Sequence, residues 1–368
     1  MMTKEQVIDH LAVELAAGNC IEPHSGVSLA DCAATFDWPS SGSNDPPHLN
    51  VTLPYILGAA ARADLAELLG RQLAGFGVIK ISINCHVIST AVRQNLKSVQ
   101  AIKNILLVAS GKGGVGKSTT AANLALALSL EGAAVGLLDA DIYGPSQARI
   151  MGLANQRPVS LDGKTFSPLI AHGVKVMSIG MLVDDEQPMV WRGPMVTQAL
   201  TQLLHDCQWG ELDYLVVDMP PGTGDIQLTL SQRVPISGAI IVTTPQDIAL
   251  LDARKGLKMF EKVDVPVLGI VENMSSHICS SCGHEEHIFG AGGGGRMAAQ
   301  YGVDLLAELP LDIRIREQTD IGQPTVVADP QGQLAKVYVN FARRVAARLA
   351  RYTVRDSKPM PRISIEAT

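Results

Sequence analysis

Residues 111–118 read Gly-Lys-Gly-Gly-Val-Gly-Lys-Ser, and the fold can be worked out from this stretch outward. An apolar run over residues 105–109 precedes it and suits a buried parallel strand, and a helical pattern over residues 118–130 follows it. The glycines let backbone N–H groups turn inward around phosphate oxygens, and the N-terminus of the helix favours an anion. Strand, loop and helix together predict a nucleoside triphosphate site rather than a glycine-rich turn with an exposed lysine.

Composition and charge set limits on the class of protein. The chain has 368 residues, 46% of them hydrophobic, so it can bury one large core or two ordinary ones. A formal net charge of -6 makes nucleic acid an unexpected partner. The apolar runs are too short for a membrane span, and the first residues lack a signal-peptide pattern, so we expect a cytoplasmic protein without membrane partners.

The order of the patterns predicts an α/β protein. We expect a P-loop NTPase domain with a mostly parallel sheet flanked by helices at residues 99–352, a small α+β domain at 1–98 before it, and a polar tail at 353–368. Strands are predicted at residues 48–53, 78–83, 105–109, 135–138, 174–179, 215–217, 239–243 and 267–271. Helices are predicted at residues 5–17, 59–73, 118–130 and 334–351, the last on the surface.

Acidic residues follow two of the predicted strands. Asp139 and Asp141 follow one strand and Asp218 follows another, where an open α/β sheet binds its ligands. In a phosphate-binding loop of this kind the Ser118 hydroxyl is expected on Mg²⁺, with Asp218 holding the waters of the metal. The alternative for Asp218 is an aspartate that caps a helix or a turn. Asp139 and Asp141 are two residues apart and project to opposite sides, so we expect different roles for them.

Two of the six cysteines, Cys279 and Cys282, are close together in the sequence. Two thiolates at this spacing can share one metal or one edge of a cluster, but a closed site needs about four ligands. A second copy could supply the other two, or His277, His284 or His287 could complete a zinc site within one chain. A redox pair and two unligated thiols are the remaining interpretations.

Two further segments carry weaker signals. The glycine-rich run at residues 290–295 is interpreted as a mobile lid or hinge beside the cysteine loop, with a phosphate nest as the alternative. Residues 191–194, Trp-Arg-Gly-Pro, could contact the nucleotide or a partner subunit.

The loop with its extra lysine, Lys112, resembles the deviant Walker A motif of the dimerising ATPases, a group that includes the MinD, ParA and ArsA/Get3 families. Within that group the resemblance to the Mrp/ApbC iron-sulfur cluster carriers extends over roughly residues 104–352. The matching stretches are residues 138–146, 191–195, 218–225, 242–246, 271–274, 279–283 and 288–290. Residues 1–98 occupy the place of a small MIP18-like domain, but their sequence agrees with it only loosely.

The resemblance implies a homodimer that hydrolyses ATP with Mg²⁺ and carries a labile [4Fe-4S] cluster. Cys279 and Cys282 of both copies would hold the cluster on the two-fold axis. The cluster would come from a donor scaffold and pass to acceptor apoproteins. Lys117 would neutralise the β and γ phosphates, Lys112 would reach the nucleotide of the partner subunit, and Asp141 would activate the attacking water. A solvated loop lysine is the alternative for Lys112.

The resemblance implies further nucleotide-binding positions. Asp139 would assist the metal shell, Gly222 and Asp225 would sense the γ-phosphate, and Asn273 would hydrogen-bond the adenine base. An ordinary turn asparagine is the alternative for Asn273. The implied nucleotide-binding set comprises Gly111, Lys112, Gly113, Gly114, Val115, Gly116, Lys117, Ser118, Thr119, Asp139, Asp218, Gly222, Asp225 and Asn273.

Rival functions belong to relatives with the same loop. A spatial organiser of the MinD/ParA kind works on membrane or nucleoid, and the negative charge and a lack of a basic amphipathic C-terminal helix argue against it. A zinc-bridged ATPase of the ArsA/Get3 kind would share the cysteine pair without transferring a cluster. It would also need a large Met-rich helical insertion for apolar cargo, and none is visible in the sequence.

Overall fold

The computed structural model describes residues 14, 20–32, 34–37, 48–76, 79–90, 99, 101–160, 163–182 and 193–356. Within these ranges only the backbone is described for residues 76, 193, 194, 225 and 353–356. The predicted helix at 5–17 therefore lies almost wholly outside the described residues, as do the Trp-Arg pair at 191–192 and the chain after 356. By its backbone contacts the chain forms two compact units, residues 1–91 with 346–368 and residues 92–345.

In the first unit, the described residues form a three-stranded sheet, a helix beside it and the last part of the C-terminal helix. The sheet has the order β1 (Thr35–Asp37), β2 (His48–Leu53) and β3 (Lys80–Cys85), with β1 antiparallel and β3 parallel to β2. Alternate residues of β2 are buried, as expected for a strand with one covered face. Helix α1 (Ala59–Gln72) buries Ala61, Leu65 and Leu69 along one side.

The second unit is built on an eight-stranded sheet. In chain order its strands are β4 (Ile102–Ala109), β5 (Val135–Asp139), β6 (Leu169–Ala171), β7 (Val174–Ser178), β8 (Leu212–Asp218), β9 (Gly238–Thr243), β10 (Val267–Asn273) and, after a separate two-stranded ribbon of β11 (His277–Ile278) and β12 (Glu285–Glu286), β13 (Asp304–Leu309). The order in the sheet is β13-β10-β9-β4-β8-β5-β7-β6, and every pair is parallel except β6 with β7. Strands β5, β9 and β10 are buried throughout, which is typical of a parallel sheet covered on both faces. The predicted α/β fold class is confirmed.

Helices connect these strands. They are α2 (Lys117–Leu130), α3 (Gln147–Ile150), α4 (Gly193–Asp206), α5 (Asp225–Arg233), α6 (Asp247–Lys262), α7 (Gly293–Tyr301), α8 (Ile313–Asp320), α9 (Thr325–Ala328) and α10 (Gln333–Asp356). Among the described residues, none of the helices has the length and apolar content needed to cross a membrane.

The C-terminal helix corrects one expectation. α10 carries Arg343, Arg344, Arg348 and Arg351, and apolar residues follow a helical period along it, so the chain does have a basic amphipathic helix near its C-terminus. Its apolar residues are buried in the protein, among them Tyr338, Phe341, Ala342, Val345 and Leu349. Because the apolar side of α10 is packed inside the protein, it is not available to bind a membrane. The argument against a membrane organiser therefore rests on this burial and not on the lack of a basic amphipathic helix.

The glycine-rich run corrects a second expectation. Gly293 and Gly294 open helix α7 and are buried, rather than forming a lid. A Cβ on Gly294 would lie 3.0 Å from Cβ of Glu272, and one on Gly293 would lie 2.9 Å from the Pro245 carbonyl oxygen. The glycines therefore allow the helix to approach the sheet closely. The N–H of Gly294 donates to the Glu272 carboxylate, so a side chain of the same chain accepts from the amide that a phosphate nest would use.

Candidate functional site: the phosphate loop and the cysteine hairpin

The phosphate loop joins the end of β4 to the start of α2. Gly114 and Gly116 have φ of 80° and 81°, a left-handed conformation that suits glycine. A Cβ on Gly116 would overlap the side-chain amide of Asn273, and one on Gly111 would overlap the backbone of Asp252 in α6. The loop is therefore wedged between neighbouring elements and keeps its shape only with glycine at these positions.

Lys117 points its ammonium group into a cluster of carboxylates. It forms an ion pair with Asp218, its Nζ lies 3.8 Å from Oδ2 of Asp141, and it donates to the Ser118 hydroxyl at 3.3 Å. The Asp218 side chain is fully buried, and Nε2 of Gln147 donates to its Oδ2 at 2.8 Å. The structure thus brings together the predicted Lys117, Ser118, Asp141 and Asp218.

Asp139 is fully buried and accepts from four donors. Its Oδ1 accepts from the N–H of Asp141 at 3.1 Å, and its Oδ2 accepts from the N–H groups of Ser146 and Gln147 and from the Ser178 hydroxyl at 2.9 to 3.0 Å. Burial and the nearby Asp218 carboxylate raise the pKa of Asp139 to about 7, although these donors lower it. In this arrangement Asp139 fixes the loop between β5 and α3 in place, and a part in the metal shell stays a prediction.

Asp141 lies at the edge of the same cluster. Burial raises the pKa of Asp141 above its ordinary value, Asp218 raises it further, and Lys117 lowers it. A partly buried carboxylate with a raised pKa, beside the lysine of the loop, is suited to orient a water or accept its proton.

The donor set fits a magnesium nucleotide. The Ser118 hydroxyl and the buried Asp218 carboxylate are hard oxygen ligands of the kind Mg²⁺ prefers. The Lys117 ammonium group is already balanced by Asp218, and triphosphate oxygens could take over as its counterions. One chain therefore offers the oxygen ligands and the cation that Mg²⁺ and a triphosphate need.

A cavity beside the loop is suited to the base of a nucleotide. Its volume is about 230 Å³. It is lined by Gly116, Thr119, Asn273, Met274, Pro310, Leu311, Asp312, Ile315, Arg316, Thr319, Asp320 and Tyr338. Asn273 is buried and donates from Nδ2 to the Val115 carbonyl at 2.9 Å, so its side chain contacts the loop instead of lying in a solvated turn.

The remaining predicted positions lie around the loop. Lys112 is half-buried and makes no ion pair within the described part of the chain. Gly222 has a φ of 104°, and its N–H donates to the Ser110 carbonyl at 2.9 Å, next to the loop. Asp225 is the first residue of α5, and its side chain lies outside the described part of the structure.

The cysteine pair lies at the tip of a hairpin formed by β11 and β12. The N–H of Cys279 donates to the His284 carbonyl and the N–H of Gly283 donates to the Cys279 carbonyl, both at 2.9 Å, which closes the tip. Cys279 is half-buried and Cys282 is exposed. Hydrogen bonds from the backbone of Ser281 and Cys282 lower the pKa of the Cys279 thiol, which favours the thiolate that binds metal.

A zinc site within one chain is not assembled. In the ranges that the structure describes, no group of three His, Cys, Asp or Glu side chains is placed to hold a metal ion. Nδ1 of His277 donates to the Leu311 carbonyl at 2.9 Å, and Nδ1 of His287 donates to the Ser275 carbonyl at 2.6 Å. These histidines hold the base of the hairpin, and the two cysteines would be half of the ligands that a closed four-ligand site needs.

The other four cysteines have different surroundings. Burial raises the pKa of Cys32 to about 11 and that of Cys207 to about 12, and it also raises the pKa of Cys20. Cys85 is half-buried in β3. The three buried cysteines, Cys20, Cys32 and Cys207, therefore have the properties of inert core thiols.

Two polar residues of the site were missed in the sequence. Gln147 donates to the Asp218 carboxylate and also to the Ser118 carbonyl at 2.9 Å, so it links the first turn of α2 to the end of β8. Ser178, at the end of β7, donates to Asp139. Neither has a signal of its own, because each acts through a contact that forms only when the strands assemble side by side.

Comparisons with known proteins agree with this geometry. A family model described as NUBPL iron-transfer P-loop NTPase, of the ParA group, matches residues 101–346. The chain is 60% identical over 272 residues to an iron-sulfur cluster carrier protein of Pseudomonas fragi, which covers 74% of this chain and 95% of that protein. It is 50% identical over 282 residues to the iron-sulfur cluster transfer protein NUBPL of Mus musculus, covering 76% and 88% of the two chains.

Solved structures share the fold. A nucleotide-binding protein of Archaeoglobus fulgidus in complex with ADP matches with a TM-score of 0.56 and 36% identity, over 64% of this chain and 92% of that one. The cell division ATPase MinD of Pyrococcus furiosus matches with a TM-score of 0.50 and 25% identity, over 66% and 98%. With the phosphate loop, the carboxylate cluster and the matched family in agreement, this chain belongs to the NUBPL iron-transfer P-loop NTPase family, whose fold is that of the MinD-like ATPases.

Proposed function

We propose that this chain is an ATP-hydrolysing iron-sulfur cluster carrier that binds a labile cluster at a homodimer interface and transfers it to apoproteins. The observation that carries the proposal is the half site at Cys279 and Cys282. It lies on the segment that leaves β10 directly beside the phosphate loop. The names of the curated relatives, cluster carrier and cluster transfer proteins, support the same conclusion.

The nucleotide part of the proposal assigns roles to the carboxylate cluster. Mg²⁺ would supply charge neutralisation for the phosphates, and it would be held by the Ser118 hydroxyl and, through its waters, by Asp218. Lys117 releases its ion pair with Asp218 to contact the β and γ phosphates. Asp141 orients the attacking water, and Gln147 holds the Asp218 carboxylate in place.

Exposed apolar residues support the homodimer. Tyr143, Ile248 and Leu251 are 65%, 70% and 54% exposed, and exposed apolar residues that lie together can mark an interaction site. Tyr143 follows Asp141, and the other two are on α6, whose Asp252 backbone packs against Gly111 of the loop. A second copy placed over these residues would cover them and bring its Lys112 toward the nucleotide. Lys112 makes no ion pair within the described part of one chain, so its ammonium group could pair with phosphate oxygens across the interface.

The cluster itself is cargo in this proposal. Two copies supply four thiolates, which is the ligand count of a [4Fe-4S] cluster. Because Cys282 is exposed at a hairpin tip, a cluster held there stays accessible to a donor scaffold and to acceptor apoproteins. We also propose a cytoplasmic location, because none of the six cysteines, all of which the structure describes, forms a disulfide, as is usual in a reducing compartment.

Anaerobic reconstitution with iron and sulfide tests the proposal. We expect about four irons per dimer, with cluster absorption in the visible, and full loss of iron when Cys279 and Cys282 are both replaced by serine. ATP binding should be retained in that variant. Cys85→Ser is the matched control, because Cys85 is also half-buried but lies in the first unit, and it should load iron normally.

Native metal analysis separates cluster from zinc. Iron and sulfide in equal amounts would support the carrier, and one zinc per two chains would favour a zinc-bridged ATPase instead. A protein that loads iron as a strict monomer, with and without nucleotide, would refute the shared site.

A further inference from the structure

One stretch of backbone serves both the base cavity and the cysteine hairpin. Asn273 and Met274 line the cavity beside the phosphate loop. The same chain then continues through His277 into the ribbon that carries Cys279. Only four residues separate the cavity wall at Met274 from the first metal-binding thiol.

Hydrogen bonds join the far wall of the cavity to the base of the hairpin. The N–H of Leu311, which lines the cavity, donates to the Ser276 carbonyl at 2.7 Å. In return Nδ1 of His277 donates to the Leu311 carbonyl at 2.9 Å. The N–H of Ser275 donates to the Leu309 carbonyl at 3.0 Å, so three bonds tie the two segments in register.

The returning end of the hairpin is fixed at the same place. Nδ1 of His287 donates to the Ser275 carbonyl at 2.6 Å, which closes the loop that begins at Ser275. A few residues later the N–H of Gly294 donates to the buried carboxylate of Glu272, next to Asn273 on β10. Cys282 is exposed and Cys279 is half-buried, but both ends of the segment that carries them are attached to the strand end at the cavity.

We propose that a purine base in this cavity sets the position of the cysteine hairpin, and that His277 is the positioning residue that links the two. The inference rests on the proposed function and names the regulation of its cluster site. Leu311 forms the link, because it lines the cavity and is also bonded to the hairpin. Its N–H donates to the Ser276 carbonyl, and its carbonyl accepts from Nδ1 of His277. The hairpin then responds to any bound nucleotide, ADP as well as ATP, separately from loops that sense the γ-phosphate.

Alkylation of the two thiols in the reduced, full-length, metal-free protein provides the readout. Peptide mass spectrometry measures the rates at Cys279 and Cys282 without nucleotide, with Mg-ADP and with Mg-tripolyphosphate, which has phosphates but no base. We expect Mg-ADP to change the rate at Cys279 by about fivefold, the lower end of ordinary coupling between sites. Tripolyphosphate should leave the rate unchanged.

Variants at position 277 test the link itself. His277→Ala should abolish the response to Mg-ADP while calorimetry still detects nucleotide binding. His277→Asn should restore the response, because its amide can donate from about the place of Nδ1. His284→Ala is the matched control, since His284 is exposed and bonds Cys279 only through its backbone carbonyl, and it should respond as the unchanged protein does.

Three outcomes would overturn the inference. These are an unchanged alkylation rate when Mg-ADP is bound to the unsubstituted protein, a full response in His277→Ala, and an equal response to tripolyphosphate. The first and third need no variant, so they hold even if His277→Ala does not fold. Because the assay uses metal-free protein, its failure would leave cluster carriage standing, whereas failed reconstitution would refute the carrier and not the coupling.

Discussion

The phosphate loop and the cysteine hairpin share a strand end but are built in opposite ways. At the loop, Lys117 and Asp218 are buried and paired within one chain, and Gln147 completes the pairing. At the hairpin, each strand has only two residues, and the turn between them carries the half-buried Cys279 and the exposed Cys282. Among the described residues, no third ligand is placed with them to hold a metal ion. The first site is formed by folding, whereas the proposed cluster site at the hairpin would need a second copy. A site that folding completes can be tested in one chain, whereas the other has to be tested in the oligomer.

The largest expected effect is at Lys117. We expect Lys117→Met to lower the ATP turnover number by roughly a hundredfold or more, because the cation that faces the phosphates is removed. It also leaves the buried Asp218 carboxylate without its cation, so the free energy of unfolding of the metal-free protein should fall by about 3 kcal/mol. Steady-state hydrolysis and chemical denaturation measure the two effects.

The matched control for Lys117 is Lys258→Met. Lys258 also pairs with a carboxylate, Glu261, but the two side chains are 56% and 45% exposed, and exposed pairs contribute little. We expect both turnover and stability to stay close to the original values. Iron loading should survive Lys117→Met if the two sites form independently, and loss of iron would show that the hairpin depends on a filled loop.

A smaller effect is expected at the proposed dimer face. Leu251→Glu should weaken nucleotide-dependent dimerisation by about tenfold, since a charge would be buried beside the partner subunit. Iron per chain should fall in parallel, while nucleotide affinity of the monomer stays unchanged. Analytical ultracentrifugation with and without nucleotide measures the first, and iron analysis the second.

Ile321→Glu is the control for this face. Ile321 is 72% exposed but follows α8 instead of lying on α6. Its substitution should leave dimerisation unchanged. If both variants dimerise normally, the exposed residues on α6 do not form the interface.

The same contrast explains what the sequence could predict. Strands such as β9 and β10 are found from sequence because a parallel strand buried on both faces is a continuous apolar run. β13 was missed because Asp304 and Glu308 interrupt its pattern at the edge of the sheet. Predicted and observed ends of the eight predicted strands differ by three residues or fewer.

Site residues could be predicted where they are neighbours in one sequence motif or directly follow a strand. They could not be predicted where they meet only through contacts between distant segments of the chain. Lys117 and Ser118 are neighbours in a motif, and Asp218 follows a clear strand. Gln147 reaches Asp218 only because β5 and β8 pair in the sheet. The glycine-rich run at 290–295 was misread for the same reason, since composition indicates flexibility and only the packing against Glu272 shows why glycine is needed.

The loop glycines give a graded comparison. Gly116→Ala should cost about 1 kcal/mol for the left-handed backbone, and more because its Cβ overlaps the Asn273 amide, so nucleotide affinity should fall by about tenfold. Gly114→Ala has the same backbone cost but meets no atom within 4 Å, so its loss should be smaller. Gly113→Ala has neither problem and serves as the control. Equal losses at Gly116 and Gly114 would show that the contact with Asn273 does not matter. Calorimetric titration with Mg-ADP measures all three.

The last expected effect is a change in how stability depends on pH. The pKa of Asp139 is raised to about 7 in the folded chain and is about 3.9 when unfolded, so the folded state holds the proton more tightly between these values. Its ionisation therefore lowers the free energy of unfolding as pH rises from about 4 to about 7, by at most about 1.4 kcal/mol per pH unit. Asp139→Asn should flatten this slope, whatever its effect on absolute stability.

Asp312 is the opposite case, because hydrogen bonding to Arg314 lowers the pKa of Asp312, so its stabilising contribution is lost only at more acid pH. Asp312→Asn should leave the slope between pH 5 and 7 unchanged, as measured by urea unfolding of the nucleotide-free protein at each pH. A slope that survives Asp139→Asn would mean that Asp139 is ionised in the fold, and that its four donors outweigh its burial and the nearby Asp218.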